Sequence, residues 1–223
     1  MKTVKNKKAF FTTKWITYTA ILTALVIATC AIPPITIPPL VGGIYWCDCV
    51  IFLAAYLLDP IASFIVGGIG TLLYDLWLGK AETMLVSLII HGLQASAVSL
   101  LIHYVFVRIK KYEALWAGIS SAVGAIIIIL GYFVFYWAVA PLVLANGSKY
   151  GLEYAAVRIP RNIIQEIIGV AIAMVICYAT TFKKQLKNSH LLPDFKNEVL
   201  EKKNLTDTQE EPNQEPTQQE PTE

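Results

Sequence analysis

The sequence predicts an all-α integral membrane protein, a six-transmembrane-helix bundle with both termini cytoplasmic. Three observations carry this prediction. Residues 15–181 form almost unbroken apolar runs of bilayer length, interrupted by few charges. The chain is 56% hydrophobic with a mean hydropathy of +0.56, more apolar than soluble domains sustain over such runs. Lysine and arginine also divide unevenly between the two sides of the spans.

The first helix, about 15–32, stops at the Pro33-Pro34 and Pro38-Pro39 pairs, which cannot continue a helix. The second, about 48–59, is short for a span and turns at Asp59-Pro60. The third runs about 60–79, the fourth 83–108, the fifth 114–145 and the sixth 158–181. Each satisfies its backbone internally, as hydrocarbon demands. With six spans, eleven cations share one side: Lys2, Lys5, Lys7, Lys8, Lys14, Arg108, Lys110, Lys111, Lys183, Lys184 and Lys187. The other side has four, Lys80, Lys149, Arg158 and Arg161, so both termini are expected inside.

Residues 1–14 then form a basic cytoplasmic N-terminus and 15–182 the membrane domain. Residues 183–223 form a polar, acidic tail. Nine of the sixteen acidic residues lie from Asp194 onward, and 211–223 is Pro-spaced and polar, too poor in apolar area to fold. The basic residues sit at span ends rather than in an aromatic-interleaved stripe, which argues against a nucleic-acid partner. The expected surroundings are the lipid bilayer. Cys47-Asp48-Cys49 has no second Cys/His pair at zinc spacing, so no metal site is expected. No catalytic residue is expected either: neither His-Glu-x-x-His nor Gly-x-Ser-x-Gly occurs. Val66-Gly67-Gly68-Ile69-Gly70 lacks the Lys-Ser/Thr of a phosphate loop and reads as a close helix crossing.

A charged side chain at mid-membrane costs about 2.5–3.5 kcal/mol on insertion scales, so polar residues within the spans are informative. Thr83, Ser87, His91 and Gln94 step along one face of the fourth helix. Asn162, Gln165, Glu166 and Gly169 do so on the sixth, and Gly68, Thr71 and Asp75 on the third. Tyr132 and Tyr136 share a face of the fifth. Asp75, His91, Gln94, Tyr132, Tyr136, Asn162, Gln165 and Glu166 are therefore the candidate binding residues. Amides and carboxylates would read the polar edge of a small heteroaromatic, and the tyrosines would offer stacking surface. Bland alternatives stay open: an ion pair of Asp75 with Lys80 or Arg161, structural hydrogen bonds at His91 and Gln94, interhelical bonds at Asn162 and Gln165. Few cations are expected well inside; only Arg158 and Arg161, near the outer end, could meet an anionic ligand.

Ala20, Ala24 and Ala28 recur every four residues on the first helix, a stripe that lets helices approach closely. It is either an internal packing seam or a docking face. Together with the six spans, this stripe resembles the substrate-binding S components of energy-coupling factor (ECF) vitamin transporters. The stretch Asp48 to Pro60, Val66-Gly67-Gly68-Ile69-Gly70, Leu73-Tyr-Asp-Leu76, Gly131-Tyr132 and Asn162-Ile-Ile-Gln165 resemble the riboflavin-transporter-like branch, over about 10–182. Asp59 stands where that pattern usually has Gly, and Cys47 and Cys49 flank Asp48.

The resemblance implies capture of a small water-soluble vitamin or precursor, with loop 33–47 closing over it. A pyridine or pyrimidine such as vitamin B6 or hydroxymethylpyrimidine is favoured, and riboflavin stays open. It implies docking through Ala20, Ala24 and Ala28 to a transmembrane coupling (T) protein served by two ATPase subunits. No cofactor is expected on this chain, and ATP would be used by those partners. It also implies a multi-pass place in the cell membrane, that of a Gram-positive bacterium. The competing reading is a stand-alone ion-coupled secondary transporter.

Overall fold

The computed structural model describes residues 12–106, 112–144 and 147–180. The expectations for 1–11, for the loop lysines near 110 and for the tail 183–223 fall outside those residues. The described part is all-helical apart from one antiparallel bridge, Ile35 to Ile44. The helices are α1 (Thr13–Ala31), α2 (Cys47–Leu57), α3 (Pro60–Trp77), α4 (Ala81–Val105), α5 (Glu113–Val143) and α6 (Leu152–Ala179). Five are long and apolar enough to cross a membrane, and α2 is the short sixth. The one displaced boundary is at α6. It opens with a helical turn, Leu152–Ala156, upstream of the expected start, and after a turn at Val157 and Arg158 continues as Ile159–Met174.

Helix α2 is the axis of the bundle. It is apolar all round apart from Asp48, and ten of its eleven residues are buried. It packs against α1, α4 and α6. Polar groups among these helices pair with one another where they can, because lipid offers no alternative partner. The Tyr56 hydroxyl lies 2.6 Å from Ser121 Oγ on α5, and Ser99 Oγ donates to the carbonyl of Leu58 at 2.6 Å, satisfying the end of α2.

Asp59, the departure from the family pattern, caps α3. Its Oδ1 accepts from the amides of Ile61 and Ala62 at 2.9 and 3.1 Å, and Pro60 occupies the first helical position. Its Oδ2 accepts the indole N–H of Trp15 at 2.5 Å. One buried carboxylate thus joins the start of α1 to the α2–α3 corner.

Glycines set the spacing of α3 and α4. A Cβ on Gly67 would lie 2.7 Å from the carbonyl oxygen of His91, and one on Gly68 would lie 2.6 Å from that of Leu88. Both obstacles are backbone, so neither can swing aside. Gly67→Ala is expected to push α4 outward and cost about 1–3 kcal/mol. A thermal unfolding midpoint equal to that of the wild type would refute this.

Candidate functional site

A cavity of about 660 Å³ opens at one end of the bundle. Three connections contribute to its wall: Gly42, Gly43 and Tyr45 after α1, Gly79 and Lys80 between α3 and α4, and Tyr150 between α5 and α6. Below them lie Thr71 and Asp75 of α3, Ser87 and His91 of α4, Tyr132 and Tyr136 of α5, and Arg158, Arg161, Asn162 and Gln165 of α6.

Behind this wall lies Asp48, in the first turn of α2 and 0% exposed. Close packing on α6 brings it there: a Cβ on Gly169 would lie 2.9 Å from Asp48 Cβ. Gln165, one turn earlier on α6, then donates from Nε2 to Asp48 Oδ2 at 2.5 Å. Asp48 Oδ1 faces His91 Nδ1 at 3.5 Å. His91 Nδ1 is also 3.2 Å from Gln94 Oε1, whose Nε2 donates to Glu166 Oε2 at 2.7 Å. His91 Nε2 lies 3.2 Å from the Tyr132 hydroxyl.

The chain of contacts continues to the mouth. Tyr132 lies 3.2 Å from Ser87 Oγ, and Ser87 donates to Asp75 Oδ2 at 2.6 Å. Thr83 reaches the same oxygen at 3.3 Å. Asp75 therefore bonds hydroxyls, and no cation lies within 4 Å of it among the described residues. On the α6 wall, Arg161 donates from Nη1 to the carbonyl of Gly43 at 2.8 Å and from Nη2 to Asn162 Oδ1. The Tyr45 amide donates to Gln165 Oε1 at 3.0 Å. The loop after α1 is therefore fastened to α6 by side chains of the cavity itself. Arg158 donates to the Tyr154 hydroxyl at 2.6 Å and lies over the rings of Tyr136 and Tyr154, 4.9 and 4.5 Å from their centroids.

Of the eight residues singled out from the sequence, six line the cavity: Asp75, His91, Tyr132, Tyr136, Asn162 and Gln165. Gln94 and Glu166 do not. They are 0% and 1% exposed and sit behind His91 and Gln165, bonded to each other. The helical steps aligned them with the wall residues, but their depth depends on how α2 fills the centre. Sequence reasoning missed Asp48, although a carboxylate in a helix otherwise apolar all round is itself a signal. Arg158 and Arg161, expected near the outer end as the cations able to meet an anionic ligand, both line the cavity, and Arg161 is 8% exposed.

The stripe on α1 faces away from the core. Trp15, Thr19, Val26 and Cys30 are buried, while Ala20, Ala24 and Ala28 are exposed, the first two along an apolar hollow that includes Thr23 and Ile65. Among the described residues the stripe is therefore not a packing seam.

This fold and site define an α-helical membrane protein with a polar-lined cavity of small-molecule size at one end. Residues 10–182 match the family described as ECF-type riboflavin transporter, S component. The chain belongs to that family: it is the membrane-embedded substrate-capture component of an energy-coupling factor transporter. The thiamine precursor transporter HmpT of Lactococcus lactis subsp. cremoris (strain MG1363) is 29% identical over 177 residues, spanning 79% of this chain and 90% of that one. The solved structure described as the S component of a bacterial ECF transporter shares the fold, with a TM-score of 0.55 at 18% identity. That match covers 78% of this chain and 96% of the other.

Proposed function

We propose that this cavity captures a thiamine precursor of the pyrimidine type, such as hydroxymethylpyrimidine. The observation that carries the reading is the cavity wall of His91, Tyr132, Asn162 and Gln165, held in place from behind by Asp48 and Gln94. An aminopyrimidine offers ring-nitrogen acceptors, an exocyclic amine and a hydroxymethyl group, which such a wall can read at once. The name of the 29% identical relative points the same way. With both termini inside, the cavity faces the exterior. Loaded protein then docks through Ala20, Ala24 and Ala28 to a transmembrane coupling protein, and two ATPase subunits there hydrolyse ATP. This chain itself catalyses nothing and holds no cofactor.

Calorimetric titration of the purified protein with hydroxymethylpyrimidine, pyridoxine and riboflavin tests the assignment. The pyrimidine is expected to bind tightest, and Gln165→Ala to weaken it by about 1–3 kcal/mol, as expected for a buried hydrogen bond left unmade. Tighter binding of riboflavin would replace the pyrimidine as substrate.

A further inference from the structure

The charges around the cavity are unevenly placed. Its α3–α4 wall carries Asp75, already held by the hydroxyls of Ser87 and Thr83, with Glu82 and Lys80 at the rim. Its α6 wall carries Arg158 and Arg161, one turn apart. Arg161 is more than nine-tenths buried, yet its guanidinium bonds only neutral acceptors: the Gly43 carbonyl, Asn162 and, at 3.5 Å, Gln165. No carboxylate lies within 4 Å of either arginine among the described residues, and Nε of each has no hydrogen-bond partner. The buried carboxylates Asp48 and Glu166 act on Arg161 only from beyond 4 Å, whereas a buried cation is normally held in direct contact with an anion.

We propose that Arg158 and Arg161 form an oxyanion subsite, so that the substrate carries a phosphate monoester on its hydroxymethyl group. The ring's amine side faces the carboxylate wall and the phosphate faces the arginine wall. Arg158 holds the phosphate over the tyrosine cluster, and Arg161 carries the compensating charge beneath it. This rests on the cavity being the pyrimidine site, and it adds the ligand's charge.

The full-length protein, purified in detergent, is heated in sodium phosphate and in sodium chloride of equal ionic strength. Phosphate is expected to raise the unfolding midpoint saturably by about 2–4 °C over chloride. Arg158→Gln should abolish the difference. Arg161→Lys, which keeps the charge, should retain it, and Arg161→Gln should not. The monophosphate ester of hydroxymethylpyrimidine should bind about tenfold or more tighter than the alcohol in the wild type, with that preference lost in Arg158→Gln. Equal midpoints in the two salts would overturn the subsite, as would a shift that survives Arg158→Gln or an alcohol that binds as tightly as its ester. A shift produced by short-chain phosphatidylglycerol but not by inorganic phosphate would assign the wall to a lipid headgroup and equally overturn it. If phosphate shifts the protein while neither pyrimidine binds, the subsite stands and the pyrimidine assignment falls.

Discussion

Ala24→Leu is expected to abolish uptake of labelled precursor by cells while the purified protein binds its ligand with unchanged affinity. Ala24 is exposed in the middle of the stripe formed with Ala20 and Ala28, on the face of α1 turned away from the core. Between helices in lipid, attraction comes from close packing rather than from expulsion of water. A leucine there holds a partner helix away, and overpacking of this kind costs about 1–3 kcal/mol even inside a single fold. The cavity lies among α3, α4, α5 and α6, and Ala24 does not line it. Normal uptake by the variant, or loss of binding after purification, would remove α1 as the docking element.

The second large effect is expected at Asp48. Asp48→Ala deletes the acceptor of Gln165 and one of the two acceptors that face His91 Nδ1. Both side chains belong to the cavity wall, so binding and stability should fall together. Leaving buried donors without their acceptor costs about 1–3 kcal/mol each. The affinity should drop about 100-fold or more, since each 1.4 kcal/mol is a factor of ten. Asp48→Asn keeps one acceptor and should lose less. Calorimetry and thermal unfolding of the two variants check this; wild-type affinity in Asp48→Ala would show that the wall does not depend on the carboxylate behind it.

The spans were legible because membrane helices announce themselves by length and apolarity, and the Pro33-Pro34 and Asp59-Pro60 breaks fell where α1 and α2 end. Period-four spacing also aligned Ser87, His91 and Gln94 correctly along α4. Radial depth was not legible. A helical stripe shows which residues share a face, not how far the neighbouring helix intrudes. Gln94 and Glu166 therefore lie behind the wall that His91 and Gln165 form. The burial of Arg161 was not legible for a related reason. Position along the chain put it at a helix start, but the returning loop at Gly42 and Gly43 packs over it, with a Cβ on Gly42 only 3.2 Å from Arg161 Cδ. Asp48 was hidden by its Cys-Asp-Cys setting, which drew attention to metal spacing rather than to a carboxylate inside an apolar helix.

The loop between α1 and α2 is fastened by Arg161 to the Gly43 carbonyl and by Gln165 to the Tyr45 amide. Those two side chains also line the space that a ligand would fill. Residence time and affinity are therefore not separately adjustable in this protein. A ligand that draws either side chain toward itself loosens the gate behind it, and one that leaves both in place is enclosed by them. Among a series of similar ligands, the slowest to escape need not be the tightest bound, because the strongest competitor for Arg161 and Gln165 also opens its own exit.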